Sequence, residues 1–201
     1  MSGANHTCTY LKEVSRIAGL LDASAIERMV ALLAETREQG GRVFCLGVGG
    51  GAANASHAVN DLRKIAGLES YAPTDNVSEL TARINDEGWD TAYANWLRGS
   101  LMNARDAVLV FSVGGGNAEH RISMNLIASL NLARQSGTRI LGIVGRDGGY
   151  TARVADACVV IPPITPDSIT PHTEEFQAVV LHLIISHPRL RAHAMKWESE
   201  R

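Results

Sequence analysis

Arg42-Val43-Phe44-Cys45-Leu46-Gly47-Val48-Gly49-Gly50-Gly51-Ala52 is the stretch that decides the fold. An apolar run without polar alternation reads as a strand buried on both faces, which belongs in a parallel sheet covered by helices. The glycines that close it fall where a strand gives way to a helix, and there they let backbone N–H groups approach an anion at the helix N-terminus. The pattern recurs downstream. Ala107 to Ser112 is apolar and runs into Ser112-Val113-Gly114-Gly115-Gly116-Asn117, and Arg139 to Val144 and Ala157 to Ile161 read as two further strands. Helical patterns near 52–66, 117–136, 148–155 and 171–186 alternate with the strands. Less regular helices around Val77 to Asn85 and Asp90 to Asn103 are placed at the rim of a site. These repeats predict an α/β fold, a three-layer αβα sandwich on a mostly parallel sheet.

Upstream, residues 8–40 read as a pair of helices. The second is opened by Ser24 with Glu27 at capping-box spacing and closed by Gly40-Gly41. Its stripe of Ile26, Met29, Val30, Leu32 and Leu33 suits burial either in its own domain or against a partner subunit. The whole chain, 1–201, reads as one domain: helices over 1–40, an α/β core over 41–186 and a tail over 187–201, whose His187 and His193 are expected to be solvated.

With 45% hydrophobic and 20% charged residues in 201, one globular core is the expectation. A net charge of -2 and a pI near 6.4 supply no bulk field for nucleic acid or a membrane, so any phosphate must be held locally. Cys8, Cys45 and Cys158 are odd in number, far apart and without a C-x-x-C pair. They suit a reducing compartment rather than a disulfide framework. The first residues carry no basic-then-apolar leader pattern, and a cytoplasmic location is expected.

Ligands of open α/β sheets sit at the carboxyl ends of strands, so two glycine loops after two strands point to one anionic pocket. His57 and Asp61 are four apart on the helix that follows the first loop, hence on one face of it. His182 lies in an apolar helical run, with Glu174 and Glu175 about two turns earlier. A lone histidine on an apolar helix is more often a satisfied core residue. Two imidazoles with carboxylates can bind a divalent metal or serve as acid and base. A dinucleotide reading is also open, with Ala52 as the last small residue of the glycine fingerprint and Glu69 as the ribose acid.

These residues resemble the phosphoheptose isomerases of the sugar isomerase (SIS) domain family over nearly the whole chain. The family's Gly-Asn-Gly-Gly-Ser loop stands here as Gly47-Val48-Gly49-Gly50-Gly51, and its His-x-x-Glu-Glu-Leu stretch as His57-Ala58-Val59-Asn60-Asp61-Leu62. Asn85-Asp86-Glu87-Gly88-Trp89 and Gly145-Arg146-Asp147-Gly148-Gly149 are similar to two further loops of the family. Its Gln-then-His spacing is met by Glu174 and His182. The resemblance implies a SIS fold and conversion of sedoheptulose 7-phosphate to a heptose 7-phosphate through an enediol. It also implies Asp61 as general base, with His182 as its acid or base partner. His57, Asp61, Glu174 and His182 are implied as ligands of one zinc ion. Substrate contacts are implied for Gly49, Gly50, Gly51, Asn54, Asp86, Ser112, Val113, Gly114 and Asn117. A homotetramer is implied, with the second helix and the last helix in its interface, and no nucleotide cofactor. The family's hydroxyl-rich Ser-Thr-Ser-Gly-Asn-Ser loop keeps one hydroxyl here, Ser112. That departure keeps a second reading open, a non-catalytic SIS module that binds a sugar phosphate as a regulator or interaction protein.

Overall fold

A computed structural model describes residues 3–195. Five strands form one wholly parallel sheet in the order β2-β1-β3-β4-β5: β1 Val43–Gly47, β2 Ser70–Tyr71, β3 Ala107–Ser112, β4 Arg139–Val144 and β5 Ala157–Val160. The helices are α1 Gly3–Leu20, α2 Ala23–Glu38, α3 Gly50–Lys64, α4 Val77–Glu87, α5 Trp89–Gly99, α6 Met124–Gln135, α7 Gly149–Val154 and α8 Ile169–Ser186. Strand residues alternate between two cores. Val43, Cys45, Leu109, Phe111 and Ile143 pack with α1, α2, α3 and α8. Phe44, Leu46, Val108, Val110 and Val144 pack with α5 and α6 on the opposite face. Burial on both faces is why these strands are apolar without alternation.

The strand order places the functional end of the molecule. From β1 the chain crosses by α3 to β2 on one side, and from β3 it crosses by α6 to β4 on the other. Right-handed crossovers in opposite directions put α3 and α6 on opposite faces and open a crevice between the carboxyl ends of β1 and β3. Both glycine loops flank that crevice. The N-terminus of α3 is pressed against β3, because a Cβ on Gly51 would lie 2.4 Å from the Phe111 carbonyl oxygen.

Several details differ from the sequence reading. Asp22, not Ser24, caps α2: its Oδ1 accepts the Ser24 and Ala25 N–H groups, and the Ser24 hydroxyl also donates to it. The α2 stripe is buried inside the chain, with Ile26, Met29, Val30 and Leu33 all in the core. Residues 117–123 are a loop rather than the start of a helix. Gly116, Arg121 and Ser123 take left-handed φ values, and Asn117 and Ile122 pair as an isolated bridge. The two-residue strand β2 is too short to be read from apolar patterning. In the tail, His187 faces Glu27 at 3.5 Å rather than water alone, and Arg37 donates to the carbonyls of Arg189 and Leu190. Residues 196–201 lie outside the described residues. Among the described residues no helix is long and apolar enough to cross a membrane.

Candidate active site

α3 and α8 lie side by side and run in the same sense, so residues matched along them meet in pairs. Gly50 faces Glu174, Asn54 reaches Gln177, and His57 and Asp61 reach His182. The lowest pair is the chemically dense one. Asp61 Oδ2 is 3.3 Å from His57 Nε2 and 3.7 Å from His182 Nε2, and the two imidazole Nε2 atoms are 3.4 Å apart. Asp61 is buried, while both histidines are open to solvent. His182 therefore escapes its apolar neighbours: Val180, Leu181 and Ile184 point into the core, and the imidazole points away from it. The trio lines a cavity of about 540 Å³ with Lys64, Leu183 and Ser186.

The donor chemistry fits a divalent ion. Zinc bound at about 2.05 Å in a tetrahedron spaces its ligand atoms about 3.3 Å apart. The 3.3, 3.4 and 3.7 Å edges of the trio match one face of such a tetrahedron. Glu174 is not gathered into this group. Its carboxylate lies over the start of α3, where a Cβ on Gly50 would sit 2.3 Å from Oε2. A helix N-terminus favours a negative group, and the one present is this side chain.

A second cavity, about 710 Å³, opens at the carboxyl ends of β1, β3 and β4. Val48, Ser112, Val113, Gly114, Asn117 and Arg146 are among its walls. Gly49, Gly50 and Gly51 are not, and Asn54 is turned away from it, donating to the Glu174 carbonyl and Gln177 Oε1 at 2.9 and 2.8 Å. Ser112 Oγ accepts the Gly115 N–H, which folds the second loop back on its strand. Asp86 sits at the exposed end of α4 and accepts from Asn85. It lines neither cavity. Of the residues singled out from sequence, then, the structure draws together His57, Asp61 and His182 at one place and Ser112, Val113, Gly114 and Asn117 at another. Lys64 at the first cavity and Arg146 at the second are lining residues that sequence reasoning missed. Only Arg146 carries a signal, as the one cation of a glycine-rich turn after a strand.

Glu69 lies immediately before β2, at the amino end of the sheet, with its carboxylate accepting from Tyr71. A ribose acid belongs at the opposite end.

A family model for the SIS domain matches residues 9–145. A phosphoheptose isomerase of Syntrophotalea carbinolica is 31% identical over 183 residues, covering 87% of this chain and 88% of that protein. A lincomycin biosynthesis protein of Streptomyces lincolnensis is 31% identical over 194 residues, covering 92% of this chain and 67% of its own length. Among solved structures, a phosphoheptose isomerase from Neisseria gonorrhoeae superposes with a TM-score of 0.77 at 24% identity, over 90% of this chain and 97% of that one. A sheet with two glycine loops at its switch point, a histidine-carboxylate trio beside them and this shared identity over near-equal lengths have one common source: the chain belongs to the phosphoheptose isomerases of the SIS-domain family.

Proposed function

We infer that the chain is a sugar-phosphate aldose–ketose isomerase and that it converts sedoheptulose 7-phosphate to a heptose 7-phosphate. The observation that carries this reading is the meeting of His57, Asp61 and His182, brought from two helices more than 100 positions apart to within 3.7 Å of one another. Asp61 is the base. It takes a proton from C1 of the ketose, the C1–C2 enediol forms, and the same carboxyl returns the proton to C2. His182, exposed at the mouth of the cavity, moves the hydroxyl proton between O1 and O2. His57 holds the Asp61 carboxylate in place, and Asn60 donates to its other oxygen at 2.9 Å. His57, Asp61 and His182 would together hold a zinc ion, which would supply polarisation of the sugar oxygens in place of the His182 proton relay.

The phosphate belongs at the second glycine loop, with Ser112 and Asn117. Val48 at that cavity and His57 at the other lie on one strand-to-helix segment. The seven helical steps of α3 from Gly50 to His57 span about 10 Å. That separation suits a chain with its carbonyl at one end and its phosphate at the other.

Purified protein incubated with sedoheptulose 7-phosphate, with and without added zinc, is expected to form aldose by NMR, and the His182→Ala variant is expected to form none at a comparable rate. No interconversion across a panel of sugar phosphates would sink the proposal.

A homotetramer and a cytoplasmic location are part of the same reading. Val179 and Leu183 stand exposed on α8 around His182, an apolar surface that a second copy would cover, and all three cysteines are free. A monomer in size exclusion with light scattering would remove the tetramer.

A further inference from the structure

We propose that Arg146 is the phosphate anchor of this chain, a substrate-binding residue that supplies the charge that hydroxyl groups alone do not. The inference rests on reading the second glycine loop as the phosphate subsite of a sugar-phosphate isomerase.

The sequence leaves this loop with one hydroxyl, Ser112, and its neighbours Val113, Gly114, Gly115 and Gly116 carry no polar side chain. Backbone N–H groups and one hydroxyl bind a phosphate dianion with no full positive charge opposing it. Arg146 stands next to them. A Cβ on Gly114 would lie 3.7 Å from Arg146 Cδ and 4.0 Å from Nε, so the side chain runs along the loop, and Arg146 lines the same cavity. Among the described residues its guanidinium has no ion-pair or hydrogen-bond partner. Asp147 lines the same cavity and makes no ion pair with Arg146; its Oδ1 accepts the Gly149 N–H at 3.1 Å within its own turn.

The placement of Arg146 is fixed rather than incidental. Its turn is bolted to the phosphate loop: the Thr151 hydroxyl and N–H both donate to the Gly115 carbonyl, at 2.8 and 2.9 Å, and the Tyr150 N–H donates to that of Gly116 at 2.8 Å. The two segments touch through bare backbone, since a Cβ on Gly115 would fall 2.0 Å from the Gly148 carbonyl oxygen and one on Gly149 would fall 2.1 Å from that of Gly114. Arg146 itself adopts φ +53, a left-handed conformation uncommon for a side-chain-bearing residue and found where a turn must aim that side chain. A planar guanidinium so held can meet two phosphate oxygens at once, which an ammonium cannot.

The negative group already in the site strengthens the need. Glu174 lies over the start of α3, with Oε2 2.3 Å from where a Cβ on Gly50 would stand, and its negative charge repels a phosphate from the first glycine loop. The phosphate is left to the second loop and to Arg146.

Arg146 is exposed on a surface turn, so Arg146→Gln and Arg146→Lys are expected to fold, with thermal midpoints near that of the parent protein. Calorimetric titration with inorganic phosphate and with sedoheptulose 7-phosphate is expected to show Arg146→Gln binding both about 10–100-fold more weakly. KM should rise by the same factor while kcat changes by less than about threefold, the signature of lost uniform binding. Arg146→Lys should fall between the two. Binding and KM of Arg146→Gln within about twofold of the parent would overturn the proposal. Weakened binding in a protein that turns over no sugar phosphate would leave Arg146 as the anchor and remove the isomerase reading. Turnover with an unchanged KM would do the reverse.

Discussion

Asp61→Asn is expected to lower kcat for the isomerisation by about 10²–10⁴-fold, with KM for the sugar phosphate changed far less. The amide is the same size, so it keeps the packing of α3 on α8 while removing the carboxylate's charge and its capacity to accept a proton. A loss of that size is about 3–5 kcal/mol of transition-state stabilisation. It exceeds what a hydrogen bond to the ground-state substrate contributes, which is why it should be read in kcat. Asp61 is also a candidate metal ligand, and the two roles separate by a second measurement. Zinc content by mass spectrometry of the native protein should fall in Asp61→Asn and in His57→Ala if all three donors hold an ion. Near-parental turnover in Asp61→Asn would show that the proton is moved by another group, and an enediol mechanism with Asp61 as its base would be wrong.

The fold was legible because each of its main strands is buried twice. Continuous apolar runs of five or six residues separated by helical spacing admit few architectures, and the glycine loops fixed which ends of the strands face the ligand. What escaped had no local signature. β2 is two residues long, Ser70 and Tyr71, and exists by pairing with Val43 and Phe44 rather than by its own composition. The loop at 117–123 reads as helix in the sequence because Ala118, Glu119 and His120 are tolerated in one. It is held open by Asn117, whose side-chain oxygen accepts the His120 N–H, and by Arg121, which reaches Asp90 at 2.7 Å. The first is a local turn three residues wide, and the second is a tertiary contact. The misplaced cap of α2 has the same origin: Asp22 and Ser24 are both capping residues, and only the backbone at Asp22 is extended, as an N-cap must be.

For the site, spacing alone was enough for each helix and silent about the two together. His57 and Asp61 at i,i+4 had to share a face of α3, whereas His182 could have packed into the core among Val180, Leu181 and Ile184. Its exposure follows from the packing of α8, which buries the faces carrying Phe176, Val180 and Ile184 and turns position 182 toward α3. Glu174, eight residues earlier on α8, meets Gly50 instead of the trio because two turns of helix carry it about 12 Å along the axis. That distance is implicit in the sequence, but which helix α8 runs beside is not.

The other large effect expected is on stability, at a cluster remote from the trio. His172 is buried, with Nε2 2.8 Å from Glu13 Oε2 and Nδ1 3.3 Å from Glu175 Oε2, and its ring packs tilted against Tyr10 at 4.3 Å between ring centroids. Tyr10 donates its hydroxyl to Glu175, and burial and that carboxylate push its phenol up to about 12, so it remains a donor across the working range. The Thr165 hydroxyl donates to Glu13 as well, at 3.0 Å. This cluster is the tie between α1 and the first turn of α8, the helix that carries Glu174 and His182. His172→Ala leaves the buried Glu13 carboxylate without its closest donor, a loss of about 1–3 kcal/mol. The pH dependence gives the effect its signature. The hydrogen bond from His172 is the largest cause holding the Glu13 carboxyl below its usual range, against the opposing effect of burial. A carboxyl with a depressed folded-state value contributes stability above its unfolded value and loses it as pH falls through the folded one. The gap in denaturation midpoint between the parent protein and His172→Ala should therefore be full near neutral pH and narrow as acid passes through and below the ordinary carboxylate range. Comparing the two proteins at each pH cancels the acid sensitivity of the groups that do not touch His172. A gap that stays constant down to the acid limit of folding would mean that His172 contributes packing alone, and that Glu13 and α1 are held to α8 by other contacts.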